Sequence, residues 1–267
     1  MVYDTFTFFR EMDLLDIRLH ELYDVVDCFV LLEADRTQSN IPKPFYYYEN
    51  KERFKDFWPK IHYIQHMETA KLDNPNYEVA IDLATRDMLF DGLDLNDDDI
   101  VIINDSDQVI RASAIADEDF SKSVRFNFRC YQYYLNFYEY IEWEHWWGAI
   151  GMKYKMFKDS GHGIGEIRSN IHLFDSKYKE DAGWHWHFMM PLESIRYKLV
   201  ASAHWRSITS PLQMSKEFIE GNIRDGIDIL GRAPRLRYVP LDDSFPKYLV
   251  DNQDKFSHII LREVNDL

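Results

Sequence analysis

The amino-terminal part of the chain alternates two kinds of apolar pattern. Thr5 to Phe9 is a short β-prone run. Leu14, Leu15, Ile17, Leu19, Leu22, Val25 and Val26 then recur at helical spacing with charges between them, which predicts an amphipathic helix. Cys28 to Leu32 is a continuous apolar run of strand length, and Pro42 and Pro44 mark a loop. Ile61 to Ile64 is a further strand candidate, and Glu78 to Phe90 reads as a helix ended by Gly92. Ile100 to Ile103 is four apolar residues without alternation. Strands that are apolar on both sides are buried on both sides, as in a parallel sheet covered by helices. The β-α-β order therefore predicts a doubly wound α/β sheet. Ligands of such sheets bind beyond the carboxyl ends of the strands. The segments at those ends are Phe9-Arg10-Glu11, Glu33-Ala34-Asp35 and Asn104-Asp105-Ser106-Asp107.

The second half has a less decisive pattern. Phe126 to Trp147 is dense in aromatics, including Tyr131, Tyr134, Trp143 and Trp147, and fits a helix or a bent strand. Gly161 to Gly165 reads as a loop, Leu192 to Val200 and Ser215 to Ile229 as helices, and Tyr248 to Leu261 as an amphipathic tail. No internal repeat or low-complexity linker interrupts the chain, so 267 residues fit one large domain.

Composition narrows the function classes. Aromatics at 16% and apolar residues at 46% exclude a disordered or collagen-like chain. The net charge of −15 argues against general nucleic-acid binding. An acidic protein still binds a phosphate-rich small molecule where a metal ion supplies the positive charge. Cys28 and Cys130 are too few for a disulfide framework or a cysteine zinc site, and both read as buried free thiols. The amino terminus lacks the marks of a signal peptide, and no stretch is long and apolar enough for a membrane span. A soluble, cytoplasmic protein is the expectation.

The sharpest chemical signal is Asp105-Ser106-Asp107 directly after a buried strand. Two carboxylates one residue apart can share a hard cation, and Mg²⁺ and Mn²⁺ often take one or two carboxylates plus substrate phosphates. The bland counterpart is an Asx-turn in a solvated loop. Asp97-Asp98-Asp99 precedes the same strand and reads as a solvated turn. His185 and His187 share one face of a predicted strand, and His-x-His can bind zinc, but spacing fixes no third ligand. One histidine completing an aspartate-based site, or contacting a phosphate, is the preferred functional role, with His204 as another candidate. Trp184, Trp186 and Trp205 suit stacking against a sugar ring, although large aromatics usually fill cores. Neither a dinucleotide or phosphate-binding glycine loop nor a serine-hydrolase elbow is present.

Taken in order, these segments resemble the family of the β-1,4-mannosyl-glycoprotein β-1,4-N-acetylglucosaminyltransferases and their bacterial and viral relatives. The matching stretches begin with Tyr3-Asp4-Thr5-Phe6, Phe8-Phe9-Arg10-Glu11 and Leu15-Asp16-Ile17-Arg18-Leu19. They continue through Glu33-Ala34-Asp35-Arg36-Thr37, Lys43-Pro44, Arg86-Asp87, Asp99-Ile100-Val101-Ile102 and Asp105-Ser106-Asp107. Tyr134-Leu135-Asn136, Trp147-Gly148, Ala182-Gly183-Trp184-His185, Lys198-Leu199 and His204 complete the set, so the resemblance covers nearly the whole chain.

The resemblance implies an α/β, GT-A-like glycosyltransferase fold in one domain. Residues 1–110 would form its Rossmann-like nucleotide-binding half, and 111–267 the acceptor half and carboxyl-terminal helices. It implies an inverting, metal-dependent transfer from a UDP-sugar, UDP-GlcNAc being the family donor, to a glycan hydroxyl, with Mn²⁺ or Mg²⁺ as the ion. Carried over by position, Asp105 and Asp107 form the metal motif, and His204, or secondarily His185, is the carboxyl-terminal metal or phosphate contact. Arg86 contacts the nucleotide or the aspartates, and Glu33 approaches the nucleoside. Phe9, Arg10, Trp184 and Arg168 are further donor-site candidates. The base is open among Asp181, Glu166 and His185, with Asp181 ranked first because it adjoins the Gly-Trp-His segment. Relatives continue the triplet with an acidic residue and Ile-Pro, whereas Gln108-Val109-Ile110 follows here. That departure motivates a second reading, a weakened or inactive sugar-nucleotide binder on the same fold. A metal-dependent phosphoesterase is a third. The Golgi anchor of the animal members has no counterpart here, which points away from N-glycan bisection and toward a surface or microbially encoded glycan as acceptor.

Overall fold

The computed structural model describes residues 1–68, 77–140, 146–189, 191–202, 205–208, 210–231 and 235–262. Within them the chain is mixed α/β around one large sheet. Its parallel part comprises β1 (Val2–Thr7), β2 (Cys28–Ala34), β3 (Ile61–His66) and β4 (Ile100–Asp105). They lie in the order β4-β1-β2-β3. A short β5 (Gln108–Ile110) follows the turn after β4.

The two-sided burial expected of these strands is met residue by residue. Phe6, Phe29, Leu31 and Ile102 face one side, against Leu15, Leu19 and Leu22 of the helix Met12–Leu22. Tyr3, Val30, Leu32, Val101 and Ile103 face the other, against Leu89, Ile164 and Ile167. β1 begins three residues earlier than its apolar pattern predicts and ends before Phe8. The physical reason is pairing: Val2 aligns with Ile100 and Tyr3 with Cys28, so two neighbouring strands set the register. Phe8 and Phe9 are thereby released into the bend at the strand's carboxyl end.

The aromatic stretch of uncertain type resolves into strands. β6 (Val124–Gln132) runs antiparallel to β7 (Phe137–Tyr140) and β8 (Trp146–Lys153), and β8, antiparallel also to β4, joins β6 to β4. Residues 141–145, with Trp143, lie outside the described residues. The register of β6 against β8 shifts between Phe126 and Asn127. Before the shift β6 pairs with β9 (Lys177–Lys179); beyond it β6 pairs with β10 (Gly183–His187), and β11 (Arg235–Tyr238) extends β7. A bulge that bends a strand in this way lets its two ends serve two different surfaces.

β10 also runs antiparallel to β5, with His185 opposite Gln108. Gly183 makes that approach possible, since a Cβ there would sit 2.1 Å from the Val109 carbonyl oxygen. The tail forms the short helix Lys247–Asp251 and packs with Leu14, Ile17, Trp184 and Trp186. The other expected helices are Leu192–Ala201 and Lys216–Arg224. Among the described residues, no helix is long and apolar enough to cross a membrane.

Candidate active site

A cleft of about 520 Å³ opens at the carboxyl ends of β1, β2 and β4. Its floor is the turn between β4 and β5, and a buried arginine holds that turn. Arg18, on the helix Met12–Leu22, donates from Nε and Nη2 to the two carboxylate oxygens of Asp4, at 2.6 and 2.5 Å. Its Nη1 donates to the carbonyl oxygens of Asp105 and Gln108, both at 2.8 Å. The Phe6 ring lies 3.9 Å beneath the guanidinium. Asn104 adds two further bonds, accepting from the Asp105 amide and donating to the Gln108 carbonyl oxygen. The Trp186 amide donates to the Asp107 carbonyl oxygen at 2.8 Å, which ties β10 to the turn.

With the backbone fixed, both aspartates face the cleft. The Asp105 carboxylate lies between two guanidinium groups, Arg86 at 2.7 Å and Arg168 in a closer contact. Burial alone would raise its pKa, but Arg168 and Arg86 outweigh it and bring it down to about 2. Asp107 has Lys198 Nζ at 3.2 Å and His185 Nε2 at 3.5 Å. Here too burial opposes ionisation, and Lys198 with the two histidines of β10 holds the carboxyl well below its ordinary value. Lys198 also donates to Glu11 at 2.8 Å, and Glu11 accepts from the Ser106 hydroxyl at 3.2 Å. Burial would lower the Lys198 ammonium, but Glu11 and Asp107 raise it instead. The centre of the cleft therefore carries three carboxylates and three permanent cations, none deep enough to lose contact with the cavity.

The two arginines are anchored from neighbouring helices. Arg86 lies in the last turn of the helix Tyr77–Asp87 and also donates to Asp82 at 3.1 Å. Asp87 accepts from the Gly165 amide at 3.0 Å, in the first turn of the helix Ile164–Ser169 that carries Arg168. A carboxylate at a helix amino terminus satisfies donors that have no partner within the helix. The pair Arg86-Asp87 thus contacts Asp105 directly and steadies the second arginine.

Of the residues singled out from sequence, Phe9, Arg86, Asp105, Asp107, Arg168 and His185 line this cleft together. Phe9 stacks on Tyr197 with ring centroids 5.6 Å apart, and the Arg10 guanidinium lies over Tyr46 and Tyr197 beside it. Glu33 is fully buried: its carboxylate accepts from the Tyr47 amide and the Tyr63 hydroxyl and lies 3.4 Å from Lys43 Nζ. Lys43 itself lines the cleft. Trp184 sits in the core, stacked 5.8 Å from Trp186 and beneath the Arg111 guanidinium. Asp181 precedes β10, at the end away from His187, and is held by Arg129 at 2.7 Å and Arg111 at 3.4 Å. Glu166 is exposed and pairs with His162. His204 lies outside the described residues.

Glu11 and Lys198 carry no role in the sequence reading, although both lie in segments that it picked out. Their only sequence signal is position, Glu11 at the carboxyl end of β1 and Lys198 on a predicted helix. Gln108 is buried beneath the turn, and its side-chain amide has no hydrogen-bond partner among the described residues. It fills the space left by Gly148, where a Cβ would come within 2.3 Å of Gln108 Nε2.

The donor set suits a hard divalent cation at one position more than the other. Asp105 is closely held by two guanidinium groups. Asp107 lines the same cleft, but it shares a single ammonium and has an imidazole beside it. A hard divalent cation would therefore be held at Asp107, while Asp105 pairs with the two arginines.

Comparison with known proteins gives a consistent family. The sequence model of glycosyltransferase family 17 matches residues 1–262. Human Beta-1,4-mannosyl-glycoprotein 4-beta-N-acetylglucosaminyltransferase is 25% identical over 289 residues, which is 94% of this chain and 53% of the human protein. The rat protein of the same name is 32% identical over 106 residues, 38% of this chain and 20% of the rat protein. The mouse protein is 31% identical over 106 residues. The chain thus spans about half the length of the human relative.

Proposed function

This chain belongs to glycosyltransferase family 17, and from that premise we propose that its cleft transfers a sugar from a UDP-sugar to a glycan hydroxyl. The fold is read as GT-A-like, the donor as UDP-GlcNAc and the reaction as a single, inverting displacement. The observation that carries this reading is the Asp105–Asp107 turn at the end of β4, paired directly with Arg86, Arg168 and Lys198 on the lining of one cavity. When bound at Asp107, a hard divalent cation neutralises diphosphate charge. Arg86 and Arg168 then provide fixed, multidentate donors for phosphate oxygens. Lys198 adds a buried cation that stays charged across the physiological range. Phe9 gives the cleft an aromatic wall suited to a ring-shaped ligand, and Tyr46, Tyr197 and the Arg10 guanidinium pack around it. Gln108 is buried under the turn rather than set on the cleft wall, which supports a packing role for that departure from the family pattern.

The test is a calorimetric titration of UDP and UDP-GlcNAc into the protein, with and without Mn²⁺, beside Asp107→Ala. Metal-dependent binding that disappears in the variant is the expected outcome. Absence of nucleotide binding with either Mn²⁺ or Mg²⁺, in protein with an intact unfolding transition, would remove the UDP-sugar assignment.

A further inference from the structure

The imidazole beside Asp107 belongs to a second donor set of different chemistry. β10 runs parallel to β6, in a register that sets His185 beside Cys130 and His187 beside Gln132. His185 and His187 share one face of β10, and their ring centroids lie 3.7 Å apart. One nitrogen of each imidazole and Cys130 Sγ all lie within 4.8 Å of one another. A tetrahedral zinc site, with metal–sulfur near 2.3 Å and metal–nitrogen near 2.0–2.1 Å, places its donors about 3.3–3.6 Å apart. Closure by roughly 1 Å is within reach of side-chain torsions on a fixed ladder.

We propose that Cys130, His185 and His187 bind a zinc-class divalent cation. The donor set chooses the class: thiolate and imidazole favour Zn²⁺ and its substitute Co²⁺ over Mg²⁺ or Mn²⁺. The Cys130 thiol now points to the Phe128 carbonyl oxygen at 3.9 Å. On binding it loses its proton to solvent as the sulfur–metal bond forms. Metal-bound histidines commonly have a carboxylate behind the second ring nitrogen, and Asp107 stands 3.5 Å from His185 Nε2. The two imidazoles line the cleft, so the remaining side of the ion faces the cavity. Three protein ligands with one open position is the pattern of a zinc site that meets solvent or substrate. The ion would lock β6 to β10 and hold His185 against Asp107, so it acts on the cleft wall. This inference does not rest on the transferase reading.

The experiment is a Co²⁺ titration of the metal-stripped full chain, followed by competition with Zn²⁺. The expected result is a near-ultraviolet thiolate-to-cobalt charge-transfer band that saturates at one equivalent and vanishes when Zn²⁺ is added. Cys130→Ser should abolish the band and weaken Zn²⁺ binding by at least about a hundredfold. His187→Asn, at the cleft surface, should weaken both ions while keeping the fold, and so provides a second route should the serine variant not fold. Cys28→Ser and Asp105→Asn should leave the band intact. No band in the wild-type protein, or a band that persists in Cys130→Ser and disappears in Cys28→Ser, would overturn the proposal. Failure of UDP to bind would leave the band unaffected, so the two readings fail separately.

Discussion

Two arginine–aspartate clusters meet at the end of β4, and they differ in their access to water. Arg18 and Asp4 are fully buried, and every guanidinium nitrogen of Arg18 is committed to a carboxylate or a backbone carbonyl. Arg86 and Arg168 make the same kind of contact with Asp105, whose side chain keeps 21% of its exposure. In the first cluster no partner can be exchanged, because removing one leaves a charge with neither water nor counter-ion. In the second, the cleft can supply a substitute, so a phosphate or a cation can replace a protein partner. The same pairing is structural where it is sealed and available for chemistry where it is not.

The comparison is broken most directly at Arg18. Arg18→Met leaves Asp4 buried and unpaired and should cost about 3–5 kcal/mol of stability, measured by urea unfolding. A loss below about 1 kcal/mol would mean the clamp does not set the turn. Asp107→Asn should do the reverse. It should lower sugar transfer by about 10²–10³-fold while costing about 1–2 kcal/mol of stability through the lost pairing with Lys198, and a loss equal to that of Arg18→Met would erase the distinction.

The next effect concerns acid. The folded pKa of Asp105, about 2, lies below the unfolded value of about 3.9. Its ion pairs therefore stabilise the fold above about pH 4, and that contribution, about 2 kcal/mol, is lost as the pH falls toward 2. Metal-free Asp105→Asn protein should lose less stability than wild type over that interval. Arg168→Lys keeps the charge but not the planar fork, and should lower transfer roughly tenfold with little change in unfolding. Asp181→Ala is expected to show the smallest effect, under about tenfold in transfer rate, because that carboxylate is held by Arg129 and Arg111 away from the cleft.

Much of this was legible from local pattern. Continuous apolar runs at 28–32 and 100–103 identified strands buried on both faces, since only a covered parallel sheet accepts them. The rule that ligands gather at carboxyl ends then isolated Phe9, Asp105 and Asp107 without any contact being known. Where the chain left the choice to neighbours, pattern failed. The start of β1 is decided by pairing with Ile100 and Cys28, which periodicity does not register. The aromatic stretch had no clear period because β6 serves different neighbours on either side of its bulge. Glu33 follows an apolar run like a cleft residue, yet its carboxylate is spent on Tyr47 and Tyr63.

Apolar periodicity and element order suffice for the mixed α/β class, and composition for the acidic balance; together they also locate the strand end at which two aspartates emerge. Periodicity and order are local properties. What surrounds the aspartates comes from packing between distant segments. Lys198 reaches Glu11 across 187 positions, and Arg18 reaches Gln108 across 90. Cys130 becomes the third donor beside His185 and His187 only through the ladder between β6 and β10. Charge neutralisation and metal coordination depend on distances of a few ångströms, and chain spacing does not encode such distances once the residues come from different strands.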